Sequence, residues 1–481
     1  MKGRGKMKNL YLDTKKQIYR ATSVMFIVQL FGALGAGFFF VIQNLFQTYH
    51  MLGATGAENE PALWFILFWA TDFFFVALAV VVSYLIAGIP AIAPSLALSV
   101  YFCHFTEASA SAENMYACFF ATPANYQNAT AIGYMGYLIM AVFLALGIKL
   151  LYGGWDRAKI SIGNGIDKLI AKIRNKIKAI PEDLKGITVI EGVDLIVMVL
   201  IIPVAVCALT FIFVKYGIEL PFGALAETLK NVLTDVSNTN VIVAALIMGL
   251  MVGFDTIGPV SLAAFSVATA SYLATGNAQL ITIYSVCFIT IGWTAFFGIL
   301  NCKLFKKGGK TNTDDFNLAT TGPINAFFEN IKLTIAPSMP IAMRSPFTVI
   351  PGLMAGSAVG GVLTAVFGIV NTAYTDGSLP KYATGNYTYG AVDYTYSELF
   401  EAGEIYMSFT LPLRSGDFLT CRLPLFFIIL ASAFIGGLVI MGLRELEYKI
   451  LSKKDCYFYT DGDIVLEMRD FGKKIKESLK K

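Results

Sequence analysis

The chain has 481 residues, 56% of them hydrophobic and only 15% charged, with a mean hydropathy of +0.64. A soluble domain carries roughly 25% charged residues, so charge this sparse cannot cover a water-soluble exterior and lipid must solvate much of it. The formal net charge of +4 comes without basic–aromatic interleaving, which argues against a nucleic-acid partner, and two histidines with seven scattered cysteines argue against a metal site.

A hydrocarbon core of about 30 Å needs about 20 apolar residues per helical span. The first such run is 23–45, behind a basic segment that carries Lys2, Arg4, Lys6, Lys8, Lys15, Lys16 and Arg20. A second run at 63–86 leads into Gly88-Ile-Pro-Ala-Ile-Ala-Pro94, which interrupts a helix twice. The short apolar piece beyond it, to Tyr101, is expected as half of a broken or re-entrant element. A span over 132–151 precedes a basic stretch, 156–185, in which isoleucines and Leu169 recur near helical spacing; this is expected as an amphipathic interfacial helix or a packed cytoplasmic loop. A span at 193–215 and a short amphipathic piece at 222–236 follow. Residues 241–300 are apolar but interrupted at Gly258-Pro259 and Gly276-Asn277; one or three crossings fit, and the length favours three with a half-helix in the middle. Pro337, Pro340 and Pro346 interrupt the next apolar region, and spans follow at 347–370 and 423–443. The expectation is an all-α polytopic membrane protein with about 8–10 membrane segments, some broken or re-entrant. Three parts are expected: a cytoplasmic N-terminal tail over 1–20, a transmembrane domain over 21–445 and a cytoplasmic tail over 446–481. Lysines and arginines cluster at both termini, at 156–185 and after Lys303, which places all four on the cytoplasmic side.

Polar groups inside a bilayer are costly, so each is a candidate site. Asp255 stands just before the Gly258-Pro259 break, either lining a ligand site or capping the helix that begins at Pro259. Thr256-Ile-Gly-Pro-Val-Ser261 is echoed by Thr320-Thr-Gly-Pro-Ile-Asn325. Paired breaks in two halves of a transporter point to a midplane site. Gly258, Pro259, Ser261 and Asn325 are therefore candidates to bind a substrate, with Ser261 and Asn325 equally able to bond their own helix backbones. Glu329 and Lys332 are spaced to pair on one helix face. Arg344, between prolines, either holds a phosphate or carboxylate or extends to the membrane surface. No phosphate-binding Walker loop is present, so the chain is not by itself an ATP-driven pump.

Four segments in chain order carry a resemblance. They are Tyr84 to Ser95 (YLIAGIPAIAPS), Gly133 to Gly136 (GYMG), Met251 to Phe265 (MVGFDTIGPVSLAAF) and Phe347 to Gly361 (FTVIPGLMAGSAVGG). They are similar to motifs of fructose-type enzyme IIC, the membrane component of the bacterial sugar phosphotransferase system, over roughly 20–445. The resemblance implies an enzyme IIC-like fold in the bacterial inner membrane, assembled as a homodimer and without a cofactor. It implies a hexose or polyol substrate, phosphorylated with separate cytoplasmic enzyme IIB and IIA partners. The chain departs from the family at the sugar motifs: Ala336 stands where the family has a glutamate, Ser261 and Leu262 replace Asn and Lys, and Gly88-Ile89 replaces Asp-Arg. Glu329 is the nearby carboxylate available as a catalytic stand-in. The lost glutamate keeps two alternatives open: a solute transporter without phosphorylation, and a transport-dead membrane sensor or scaffold of the same fold.

Overall fold

The structure, a computed structural model, describes residues 13–22, 74–103, 132–174, 186–308, 338–370 and 418–450 almost throughout, with a few positions besides. The expected span at 23–45, Asn325, Glu329 and Ala336 lie outside the described residues. Described helices are α1 (Phe74–Ala87), α2 (Ile92–Cys103), α3 (Gly133–Arg174), α4 (Gly186–Ile196), α5 (Ile202–Val214) and α6 (Leu220–Ser237). They continue with α7 (Val241–Phe254), α8 (Pro259–Thr275), α9 (Gln279–Leu304), α10 (Ser338–Arg344), α11 (Pro346–Val366) and α12 (Leu423–Ile450). A two-stranded ribbon, β1 (Tyr387–Tyr389) with β2 (Val392–Tyr394), is the exception among the described residues. Among the described residues, five helical stretches are long and apolar enough to cross a membrane. The protein is an all-α polytopic membrane protein.

Two expected boundaries are corrected. The span at 132–151 and the basic amphipathic stretch after it form one helix of 42 residues, α3. Likewise α4, α5 and α6 run on as one helix through π turns at Val197–Ile201 and Lys215–Glu219, so the piece at 222–236 is not separate. Each π turn ends two residues before a proline, Pro203 or Pro221, and the turn Phe418–Arg422 stands likewise before Pro424. Proline has no N–H and its ring collides with the preceding turn of an α-helix. A π turn, with its i→i+5 bonding, lets the helix run through. In that register Pro203 deprives the Met198 carbonyl of a donor, and the Tyr152 hydroxyl of α3 donates to it instead.

The core bundle is α7, α9, α11 and α12, packed backbone to backbone through glycine. A Cβ on Gly249 would lie 2.4 Å from the Cα of Ala358, and one on Gly253 2.4 Å from the Cα of Met354. Small residues at four-residue spacing allow this close approach in membrane helices. The pairing runs in opposite directions, so α7 is antiparallel to α11. On α11, Gly356 faces Thr294, Gly360 faces Thr290 and Gly361 faces Cys287 of α9, which is therefore antiparallel to α11 as well. Gly436 of α12 lies against Gly352 and Gly356.

These registers fix the path of the chain. Both α7 and α9 start at the C-terminal end of α11, so the segment between them enters and leaves at the same end. With 14 residues, α7 is about 21 Å long, short of a bilayer core of about 30 Å. Hence α7 and α8 form a re-entrant hairpin, and only α9 completes the crossing. Of the one or three crossings that the sequence allows over 241–300, the short α7 favours one, preceded by this hairpin.

Candidate functional site

The tip of the hairpin is built by three local devices. Asn240 opens α7, its side chain accepting from the amides of Ile242 at 3.0 Å and Val243 at 3.2 Å. At the other end Asp255 leaves the helical region, with φ −139° and ψ 74°. Pro259 begins α8, where its missing N–H costs no helical bond. Between them the Gly258 amide donates to the Asp255 carbonyl at 3.1 Å.

The Asp255 side chain turns back into this tip. It is 4% exposed, and its Oδ2 accepts from the Val260 amide at 3.4 Å. It thus caps the N-terminus of α8, where a helix dipole favours negative charge. A Cβ on Gly258 would lie 1.8 Å from Oδ2, so glycine alone leaves room for the carboxylate. Another helix start closes on it from the far side. Gly133, the first residue of α3, has φ +62°, and a Cβ there would lie 2.5 Å from Oδ1. Two helix N-termini, those of α3 and α8, therefore converge on one buried carboxylate.

Ser261 is 1% exposed, and its hydroxyl donates to the Thr256 carbonyl at 3.0 Å. With its proton so placed, it accepts from the Tyr284 hydroxyl of α9 at 3.2 Å. Tyr284 packs against Phe265 and Phe288 and ties the hairpin to the crossing helix. Sequence reasoning missed it, because an aromatic inside an apolar run looks like packing. Its polar tip is the only signal the sequence carries.

Asp255, Gly258, Pro259 and Ser261 thus come together at one tip. Arg344 lies in a different group. It is 4% exposed, it donates to Asp315 at 2.6 Å and to the Thr22 hydroxyl at 2.9 Å, and its guanidinium lies 3.9 Å from the centre of the Tyr19 ring. The carboxylate it holds is the chain's own. Arg444 of α12 donates to the other oxygen of Asp315 at 3.3 Å. A second backbone break follows Arg344: Ser345 has φ −140° and ψ 63°, close to Asp255, and Pro346 again begins the next helix. Among the described residues no group of three potential metal ligands exists.

Comparison with known proteins finds relatives at modest identity. The chain is 27% identical over 251 residues to "Fructose-like permease IIC component 2" of Escherichia coli (strain K12), covering 49% of this chain and 66% of the relative. It is 26% identical over 175 residues to "PTS system fructose-specific EIIB'BC component" of Rhodobacter capsulatus, covering 36% of this chain and 28% of the relative. It is 24% identical over 196 residues to "PTS system fructose-specific EIIABC component" of Bacillus subtilis (strain 168), covering 41% and 29%. The chain thus spans less than two thirds of the length of each. No protein-family model and no solved structure matches it.

Proposed function

With kinship to fructose-type enzyme IIC components as the premise, we propose that this membrane protein is the sugar permease component of a phosphotransferase system. It moves a fructose-type hexose or polyol inward, and cytoplasmic enzyme IIB and IIA units bring the phosphoryl group. The observation that carries the reading is the buried Asp255 carboxylate at the tip of a re-entrant hairpin, faced by the N-termini of α3 and α8. Re-entrant backbone at membrane depth is tolerated where it lines a cavity or is buried in protein. A carboxylate there accepts hydrogen bonds from sugar hydroxyls.

Within this proposal Asp255 binds the sugar, while Gly258, Pro259 and Ser261 shape the tip. Asn325 supplies a second polar contact and Glu329 orients the hydroxyl that receives phosphate. Arg344, engaged with Asp315, holds the cytoplasmic end of the bundle together. Both termini and the loop after α9 are cytoplasmic. Contacts of Arg344 with Tyr19 and Thr22, of Arg444 with Asp315, and of the Gly308 amide with Glu445 at 2.7 Å support their lying on one side. The permease works as a homodimer in the bacterial inner membrane.

The test is phosphorylation of labelled fructose and hexitols by membranes containing the protein, supplied with phosphorylated enzyme IIB. Sugar phosphate should form only when both are present. Saturable binding of sugar with no sugar phosphate from any IIB partner would instead support the second reading, a transporter without phosphorylation, which Ala336 keeps open.

A further inference from the structure

Tyr134, the second residue of α3, is 1% exposed, and its hydroxyl has no hydrogen-bond partner among the described residues. A buried hydroxyl without a partner leaves its desolvation uncompensated, and phenylalanine would fill the same space without that cost. The fold itself gains nothing from this oxygen.

Its surroundings show what would. The preceding residue, Gly133, abuts Oδ1 of Asp255, and the Tyr134 phenol lies within electrostatic reach of that carboxylate. A strong acceptor and a donor without a partner among the described residues are thus buried within electrostatic reach of each other, and no hydrogen bond joins them. A third group that bridges them would satisfy both. The converging N-termini of α3 and α8 disfavour a cation there, and the carboxylate repels an anion. A neutral ligand with two adjacent hydroxyls meets both constraints. One hydroxyl donates to Asp255, and its neighbour accepts from the phenol.

We propose that Tyr134 is a ligand-binding residue, and that with Asp255 it forms a subsite for a vicinal diol of a neutral polyhydroxyl compound. This inference rests on the sugar-permease reading. It adds the donor and the hydroxyl pair that the site selects.

The test uses the full-length protein in lipid nanodiscs, with D-fructose, D-mannitol, D-sorbitol and their monodeoxy derivatives as probes. Calorimetric binding and thermal unfolding are measured for the wild type, Tyr134→Phe and Asp255→Asn. Tyr134→Phe should be as stable as the wild type or more so, since it removes the unsatisfied hydroxyl. It should bind the preferred probe about tenfold more weakly, the scale of one lost hydrogen bond. For the wild type, one particular monodeoxy derivative should bind about tenfold more weakly than its parent. For Tyr134→Phe, that derivative and its parent should bind equally. Wild-type affinity in Tyr134→Phe, with Asp255→Asn impaired, overturns the role of Tyr134 and leaves the permease reading intact. Failure of the wild type to bind any probe overturns both.

Discussion

Asp255 caps α8 and, in the proposed function, also binds sugar, and a single substitution separates the two roles. As a cap it needs only an oxygen that accepts from Val260, which asparagine supplies about as well as aspartate. As a sugar ligand it needs the charge, since a hydrogen bond to a charged group contributes roughly 1.5–3 kcal/mol. Asp255→Asn should therefore unfold close to the wild-type temperature yet bind sugar at least about tenfold more weakly. Equal ligand-induced thermal shifts in both proteins would mean that Asp255 is a cap and nothing more. Gly258→Ala acts on the same carboxylate by volume. Its methyl group would lie 1.8 Å from Oδ2, so the carboxylate must swing away from Val260, at about 1–3 kcal/mol for overpacking. A thermal melt that matches the wild type would contradict this packing. A third position, Glu329, addresses the proposed catalytic carboxylate. A group that takes the proton from the sugar hydroxyl is needed during transfer. Glu329→Gln should abolish sugar phosphorylation and Ala336→Glu should raise it, while unchanged turnover in Glu329→Gln removes Glu329 from the mechanism.

At the scale of elements, glycine decides how closely α7 and α11 approach. Gly253→Leu would drive a side chain into the backbone of Met354, 2.4 Å from where its Cβ must sit. The hairpin would be pushed off α11, and folded protein recovered after mild heating should fall sharply. Gly223→Leu, on α6 with nothing within 4 Å of its Cβ position, should leave recovery unchanged. The break at Gly258-Pro259 was legible in the sequence because glycine and proline punctuate helices by their own backbone chemistry. The fusion of 132–151 with the stretch beyond was not. There hydropathy changes abruptly at Asp156 while the helix continues, and composition reports environment rather than backbone continuity. The continuity of 193–215 with 222–236 was hidden in the same way, since π turns carry the helix past Pro203 and Pro221. Tyr134 and Tyr284 were illegible for a third reason. Nothing local tells a phenol within electrostatic reach of Asp255, or one bonded to Ser261, from one that merely packs.

The whole molecule is tied together at one end by a buried ionic cluster. Asp315 lies between Arg344, 29 residues away, and Arg444, 129 residues away. Arg344 also reaches Thr22, 322 residues away, and Lys149 of α3 pairs with Asp13 at 3.3 Å. Such separations explain why the role of Arg344 was hidden: its partner could be named only once the chain had folded. Removing the shared carboxylate leaves two buried guanidiniums short of their counter-charge, a loss of about 3–5 kcal/mol. Asp315→Asn should therefore lower the unfolding temperature in nanodiscs much more than Asp13→Asn, whose pair is exposed and contributes about 0–1 kcal/mol. Equal melting of the two variants would contradict the cluster. The same convergence brings residues 19–22, the segment after α9 and the end of α12 to one end of the bundle, the end proposed to be cytoplasmic. An impermeant thiol reagent applied outside should leave a single cysteine at position 308 unlabelled. The most direct measurement of the central claim is uptake of labelled fructose into proteoliposomes that enclose enzyme IIB and IIA with a phosphoryl donor. The wild type should accumulate sugar phosphate inside, only with the donor present, and Asp255→Asn should accumulate little. Free sugar entering at the same rate without the donor, or full accumulation by Asp255→Asn, would contradict it.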